Sequence, residues 1–294
     1  MVSDPENFAK DASAENSAEI DADNILACSD LVKTRKGGVG YRLLVENLTI
    51  GKGEHLALIG DSGSGKSTLL DMIAMILKPD SAGEFSFKPL GSDKRNDLWR
   101  IWQKANYALF EGLRRSELGY IMQTGGLLPF LTVADNITLP ADLKVGYPKS
   151  DRNDRFQALT STLGITHLLN KLPSTISVGE RQRCAIARAL IHAPSLVLAD
   201  EPTASLDPPT ADKVFELLLD LCKESALIVS THERNRVLTG HFKVWQITCQ
   251  SGSDTQPIEA RISPFTDFPK SAPEKTPAPT VKVDLRKGAS SFFH

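Results

Sequence analysis

Residues 60–67 read Gly60-Asp61-Ser62-Gly63-Ser64-Gly65-Lys66-Ser67. The apolar run His55 to Ile59 before this loop predicts a buried strand, and the periodic segment Ser67 to Leu77 after it predicts a helix that Pro79 stops. A glycine-rich turn between a strand and a helix, ending in Lys-Ser, is the arrangement that binds nucleotide phosphates. The sequence therefore predicts a phosphate site at this loop.

The residues of this loop have separate expected roles in holding a triphosphate. Its glycines let successive backbone amides point at the β-phosphate, and the positive end of the following helix adds to the attraction. Lys66 is expected to reach the β- and γ-phosphates, the Ser67 hydroxyl to ligate Mg²⁺, and Thr68 to donate to the α-phosphate. We therefore expect a nucleoside triphosphate and Mg²⁺ to bind at this loop.

Two adjacent acids follow a second apolar strand candidate, Leu196 to Ala199. They are Asp200 and Glu201, and their position predicts that both lie at the carboxyl edge of the sheet, where open α/β sheets bind ligands. Asp200 is expected to hold Mg²⁺ through water, and Glu201 to act as general base on the attacking water. An alternative is that the two acids only cap a turn before Pro202.

The order of the predicted elements indicates the fold class. Strand candidates alternate with helical patterns, which predicts an α/β protein with a parallel sheet and helices on both of its faces. The strands are Leu196 to Ala199 and Ala226 to Ser230, and the helices are Glu180 to His192 and Pro209 to Glu224. Residues from about 127 to 193 are predicted to form a helical lobe inserted into this core.

The ends of the chain differ in composition from its middle. Residues 1–25 are acidic and residues 253–294 are rich in proline, serine and lysine, which predicts flexible tails around a folded domain at 26–252. The 294 residues carry a net charge of −2, which argues against a protein whose main task is to bind nucleic acid or an acidic membrane surface. No transmembrane helix and no signal peptide are predicted.

The four cysteines show no spacing typical of a metal site or a redox pair. We expect them to be reduced and to serve as small packing residues of a cytosolic protein. They are Cys28, Cys184, Cys222 and Cys249.

The segment Ile176-Ser177-Val178-Gly179-Glu180-Arg181-Gln182-Arg183, followed by Ala185 to Leu190, resembles the signature of ABC-type ATPases. The family pattern is Leu-Ser-Gly-Gly-Gln/Glu, so Ile176 and Val178 depart from it. Ser177 and Glu180 also form a capping box that begins a helix. The resemblance implies that Ser177, Gly179 and Glu180 meet the γ-phosphate of ATP bound to a second subunit.

Three further positions match the family in the same order along the chain. Gln123 follows Tyr-Ile-Met, Asp207 ends Ser205-Leu206-Asp207, and His232 follows Ser-Thr. The resemblance implies that Gln123 contacts Mg²⁺ and the attacking water and relays motion to the helical lobe. It also implies that Asp207 lines a dimer interface and that His232 contacts the γ-phosphate.

The resemblance covers residues from about 26 to 250 and implies an architecture with three parts. These are a RecA-like core of the P-loop NTPase type, an antiparallel β subdomain and a helical signature subdomain. The run Leu127 to Ile137 is similar to the subgroup of lipoprotein-releasing, macrolide-exporting and cell-division ATPases.

The same resemblance implies the partners, the location and the task. The chain would pair with a second copy or a paralogue, and this dimer would drive separate membrane permease subunits, in export, lipoprotein extraction or mechanotransmission. It would be cytoplasmic and peripheral on the inner face of the membrane, held there through the permease, with no nucleic-acid partner.

Several alternatives stay open. A non-transport ABC ATPase that regulates a cell-envelope partner fits the same motifs, whereas coiled-coil repair ATPases, two-cassette translation factors and small-molecule kinases each need features that this chain lacks. Arg35 lies where the family usually has an aromatic side chain that stacks on the adenine ring of ATP. Either Arg35 or Tyr41 is therefore the candidate for this stacking contact. The aromatic segment Asp97 to Leu113 either packs as a helix or docks a partner, and the C-terminal tail is either idle or a partner-binding peptide.

Overall fold

A computed structural model of the protein describes residues 24–35, 40–238, 241–250 and 258–266. The strands within these ranges are β1 (Asn24–Arg35), β2 (Tyr41–Gly51), β3 (His55–Ile59), β4 (Glu84–Phe87), β5 (Asn96–Asp97), β6 (Leu118–Ile121), β7 (Leu196–Asp200), β8 (Ala226–Thr231), β9 (Lys243–Gln250) and β10 (Ile258–Pro264). The helices are α1 (Lys66–Ile73), α2 (Leu98–Gln103), α3 (Tyr107–Glu117), α4 (Val133–Leu143), α5 (Lys149–Thr162), α6 (Val178–Leu190), α7 (Pro208–Leu221) and α8 (Arg234–Val237).

All of these strands join one sheet in the order β5-β4-β1-β2-β10-β9-β3-β8-β7-β6. The half from β9 through β3, β8 and β7 to β6 is parallel, as in the predicted core. The other half is mainly antiparallel, through the β1–β2, β1–β4 and β9–β10 pairs. The predicted fold class, with its antiparallel β subdomain, is confirmed.

The sequence of the central strands explains why both faces of the sheet are covered. Successive side chains of a strand point to opposite faces, and in β3 all of them from Leu56 to Ile59 are buried. Leu56 and Leu58 enter a cluster with β1, β2, α1 and the α2–α3 region, and Ala57 and Ile59 enter a cluster with α4, α6 and α7. A run that is apolar at every position, as in a parallel strand covered on both sides, produces this double core.

The aromatic segment forms two helices where the spacing predicted one. Asp97 caps α2 by accepting a hydrogen bond from the Arg100 amide, and Ala105 then takes a left-handed backbone (φ 51°) that ends the helix before α3 begins. Trp102 and Phe110 are buried with ring centroids 4.4 Å apart, whereas Tyr107 is exposed. The segment therefore packs mainly into the core.

The predicted C-terminal tail begins too early in the chain. Residues 258–264, assigned to that tail, form β10, which pairs in parallel with β2 and antiparallel with β9. Ala260 and Ile262 are buried there, and these two alternate apolar positions were the signal of a half-buried strand. Apart from Phe265 and Thr266, the rest of the predicted C-terminal tail lies outside the described residues, and so does most of the N-terminal one.

Smaller differences concern one helix end and the cysteines. The helix after the glycine loop ends at Ile73, not at Leu77, and Met75 beyond it has a left-handed backbone (φ 58°). Cys249 is exposed, contrary to its predicted packing role, while the other three cysteines are buried. Among the described residues, none of the helices has the length and apolar character needed to cross a membrane.

Candidate functional site

Four parallel strands end side by side at one edge of the sheet. The pairing of Ile59 with Thr231 aligns the ends of β3 and β8, and the pairing of Asp200 with Ser230 aligns β7 with β8. Ile121 at the end of β6 pairs with Ala199 of β7. The glycine loop, His232, the two acids and Gln123 follow these strand ends directly, so the fold brings the predicted core-site residues to one edge.

The glycine loop takes backbone conformations that other residues rarely adopt. Gly63 and Gly65 have φ of 78° and 105°, and Gly65 precedes the first residue of α1. The loop is closed by the Ser64 amide, which donates to the Asp61 carbonyl at 3.1 Å. Such a turn leaves its amides free to point inward at the start of a helix, as an anion site requires.

Lys66 lies inside the curve of this loop. Its Nζ donates to the carbonyls of Gly60 at 2.8 Å and Asp61 at 3.0 Å, and it is 3.5 Å from Glu201 Oε1. The side chain is only 5% exposed. His232 Nδ1 lies 3.3 Å from the other Glu201 oxygen, so Glu201 stands between the lysine and the histidine.

The backbone of Glu201 is strained and held in place by Ser230. Glu201 has a left-handed φ of 43°, which is costly for a side chain of this kind and is typical of functional sites. Its amide donates to Ser230 O at 3.1 Å and to Ser230 Oγ at 3.0 Å, and the Ser230 hydroxyl donates to Asp200. Ser230 was not among the predicted site residues, because its only signal is its register with Asp200 on the neighbouring strand.

The residues at this edge fit a nucleotide with Mg²⁺. Ser64 Oγ is buried with no hydrogen-bond partner in the described part of the chain, so the loop has an unused polar atom. Ser67 is exposed at the mouth of the loop, while Thr68 is buried behind it. The Ser67 hydroxyl, the Asp200 carboxylate and the amide oxygen of exposed Gln123 would offer oxygen donors only, the kind that Mg²⁺ prefers.

Tyr41 lies directly over the loop, which the sequence did not predict. Its hydroxyl donates to the Ser64 carbonyl, and a Cβ added at Gly65 would overlap that hydroxyl. Burial raises the pKa of Tyr41 to about 12, so the phenol stays protonated and able to donate at neutral pH. Arg35, the other candidate for the adenine contact, pairs with Tyr41 in the β1–β2 ladder and is exposed.

The signature residues lie at the start of α6. Ser177 caps this helix by accepting from the Glu180 amide, and the Glu180 carboxylate accepts from the Ser177 amide at 2.7 Å, which forms the expected capping box. A Cβ on Gly179 would lie 3.5 Å from Leu206 and 3.6 Å from Thr210. Within the described residues, none of the contacts made by Ser177, Gly179 or Glu180 reaches the glycine loop.

Two neighbours of the signature complete this exposed surface. Asp207 caps α7 by accepting from the Thr210 amide at 3.2 Å, and these hydrogen bonds lower the pKa of its carboxyl. Val178, the departure from the family pattern, is 45% exposed beside Ser177. The start of α6, capped by its own Ser177 and Glu180, thus faces outward, next to the exposed carboxylate of Asp207.

Comparisons with known proteins agree with this geometry. The ABC transporter family matches residues 45–204. The chain is 38% identical over 229 residues to the lipoprotein-releasing system ATP-binding protein LolD of Legionella pneumophila (strain Lens), an alignment that covers 74% of this chain and 96% of that protein. It is 40% identical over 214 residues to the ABC transporter ATP-binding protein YxdL of Bacillus subtilis (strain 168), covering 71% and 78%.

Solved structures of similar fold include nucleotide-bound and complex-forming proteins. One is the dimeric post-hydrolysis state of the ATP-binding cassette MJ0796 bound to ADP and Pi, with a TM-score of 0.63 and 29% identity over 83% of this chain and all of that one. Another is cbiO1 from Clostridium perfringens, part of the ABC transporter complex cbiONQ, with a TM-score of 0.62 and 27% identity over 82% and 87%.

Proposed function

The chain belongs to the ABC transporter family as an ATP-binding subunit that hydrolyses ATP, and we propose that two copies close around two ATP molecules to drive a separate membrane permease. The observation that carries this proposal is the position of Glu201, held between Lys66 and His232 beside the glycine loop. These are the groups that phosphoryl transfer to water needs at one point: a base, a cation for the phosphates and a polar group at the γ-phosphate.

The geometry supports a division of roles among these side chains. Lys66 now satisfies its charge with loop carbonyls and Glu201, and a triphosphate in the loop would offer it stronger partners. Glu201 is then free to accept a proton from the attacking water, and His232 to contact the γ-phosphate. Ser67, Asp200 and Gln123 would hold Mg²⁺, which supplies positive charge to the leaving phosphoryl group.

The signature supports a site shared between two chains. Ser177 and Gly179 form a helix N-terminus suited to an anion, yet they lie away from the loop of their own chain. A two-fold dimer would place each signature on the loop of the other copy, and Asp207 would lie at that interface. We expect the helical region from about 127 to 193 to move as one lobe when ATP draws the copies together.

The similarity to LolD supports the finer assignment. That protein is described as part of a lipoprotein-releasing system, and we propose that this chain likewise docks on a permease at the inner face of the membrane. ATP-driven closure would then be passed to the permease as a mechanical stroke that exports or extracts a molecule. The handled molecule would be chosen by the permease.

A dimerisation experiment tests this proposal. Glu201→Gln removes the base and keeps the shape, so Mg·ATP should convert the purified variant from monomer to a lasting dimer in light scattering. The same variant with ADP, and the variant with Lys66→Ala added, are the controls that should stay monomeric. ATP binding without any dimer would count against a shared site, and persistence of the wild-type dimer with very slow turnover would favour a regulatory role over transport.

A further inference from the structure

The loop that carries Gln123 is folded into a tight turn by two glycines. Gly125 and Gly126 have left-handed φ of 75° and 58°, and the Gly125 amide donates to the Met122 carbonyl at 2.9 Å. Met122 Sδ lies close to Gly126, where a Cβ would approach it to 2.8 Å. The turn therefore has little room to change shape by itself.

This turn packs on the side of α6, the helix that begins with the signature. A Cβ on Gly125 would lie 3.7 Å from Ala185 Cβ and 3.7 Å from the Arg181 carbonyl, which is ordinary van der Waals contact. The turn therefore lies beside the helix, with room for little more than a methyl group between Gly125 and α6. A movement of one requires the other to follow or the contact to open.

Arg188 of α6 ties the two together through both of its terminal nitrogens. Nη1 donates to Gly126 O at 2.6 Å and Nη2 donates to Gly125 O at 3.0 Å. Burial lowers the pKa of Arg188, and no carboxylate pairs with it in the part of the chain that the structure describes. The two glycine carbonyls are thus its main compensation, and losing them would leave a largely buried charge without partners.

We propose that Arg188 is a positioning residue for Gln123, which makes the place of Gln123 at the metal depend on the orientation of the signature helix. The proposal rests on the function proposed above, in which Gln123 contacts Mg²⁺ and Ser177 meets the nucleotide of the partner copy. Arg188 lies ten residues beyond Val178, about 15 Å along one rigid helix. When the partner's nucleotide turns α6 at its start, Arg188 carries the Gln123 turn with it.

The test compares Arg188→Met with Arg155→Met in the full chain. Arg155 is a matched control because it also has a pKa lowered by burial and also donates to a carbonyl, Leu190 O at 2.7 Å at the end of α6, but it holds the helix without touching the Gln123 turn. Both variants should lose stability. Only Arg188→Met should weaken the binding of Mg²⁺ at the site.

The first readout is the Mg²⁺ dependence of ATP hydrolysis at saturating ATP. We expect Arg188→Met to raise the half-saturating Mg²⁺ concentration about fivefold and to lower kcat about tenfold, with the Kd for ATP within about twofold of wild type. Arg188→Lys, which keeps the charge but can reach one carbonyl, should recover part of the loss. Arg155→Met should leave the Mg²⁺ dependence unchanged.

The second readout needs no turnover. Hydrogen–deuterium exchange should be at least about fivefold faster at residues 122–127 in Arg188→Met and unchanged there in Arg155→Met. Equal exchange and equal Mg²⁺ dependence in the two variants would overturn the role of Arg188. A failure of the shared-site function would be seen separately, as absence of an ATP-dependent dimer in Glu201→Gln with Arg188 intact.

Discussion

Ser230 is a buried residue whose hydroxyl contacts both acids that are expected to carry out the reaction, Asp200 and Glu201. It accepts from the Glu201 amide and donates to the Asp200 carboxylate, so it fixes both the strained backbone of the expected base and the orientation of the expected metal ligand. A strained φ persists only where neighbouring groups enforce it. Loss of the Ser230 hydroxyl should therefore lower the rate of hydrolysis as well as the stability of the fold.

We expect Ser230→Ala to lower kcat by about tenfold or more, because the Asp200 carboxylate and the Glu201 amide each lose a partner and their geometry relaxes. The matched control is Ser225→Ala, which removes another buried hydroxyl just before the same strand, one that donates to Pro194 O at 2.8 Å far from the site. Each change should cost about 1–3 kcal/mol of stability. Steady-state ATPase assays beside urea unfolding will separate the two effects, and equal losses of kcat would argue against the role of Ser230.

Elements whose signal is local were predicted from the sequence, and those that depend on tertiary pairing were not. β3 was placed with the bounds that the structure has, because its apolar run ends at the glycine loop. β10 was missed because its alternating signal is only two buried residues long, within a stretch assigned to the tail, and its partners come from the distant β2 and β9. The split between α2 and α3 was missed because the left-handed Ala105 interrupts a pattern that is otherwise helical.

The same distinction applies to the site. The glycine loop, the acids and the signature have fixed spacings along the chain, so their residues could be named from the sequence. Other contacts join residues that are far apart in the sequence. The Tyr41 hydroxyl bonds to Ser64, 23 positions away, and Arg188 bonds to the Gly125–Gly126 turn, at least 62 positions away. No local pattern encodes such a pair, since each contact depends on how the sheet and helices pack.

β10 offers a direct test of whether the ATPase unit extends beyond residue 252. Ile262→Ala should cost about 2–5 kcal/mol of unfolding free energy, because the Ile262 side chain is 1% exposed and packs in the core. Arg261→Ala, on the other face of the same strand, should cost less than about 1 kcal/mol, since its ion pairs with Glu46 and Glu259 are exposed. Urea denaturation of both variants measures the difference, and equal small effects would mean that β10 adds little to the folded unit.

In the proposed function, one copy of the molecule would carry two separate half-sites on its surface. The loop residues Asp61 to Gly63 are exposed, and so are Ser177 and Val178 at the start of α6, yet the structure shows no contact between these two groups within its described residues. A two-fold pair would complete both sites at once, because the same surface serves both partners. The proposed dimer thus follows from the separation of the loop and the signature within one chain.

Mixing two defective chains tests this dimer most directly. In a Glu201→Gln background, Lys66→Ala removes the loop lysine and Ser177→Arg removes the signature hydroxyl, so homodimers of either chain lack a complete site. The mixed pair has one complete site, formed by the loop of the Ser177→Arg chain and the signature of the Lys66→Ala chain. Mg·ATP should therefore raise the dimer fraction in light scattering only in the mixture.

The control for this mixture replaces the Lys66→Ala chain with one that carries both Lys66→Ala and Ser177→Arg, which leaves no complete site in any pairing. Thermal unfolding must show each chain folded, because the loss of the Ser177 cap alone should cost about 1 kcal/mol. If the mixture stays monomeric while the Glu201→Gln parent dimerises, the loop and the signature do not act on the same nucleotide. If the mixture dimerises and the control does not, each nucleotide is bound by the loop of one copy and the signature of the other.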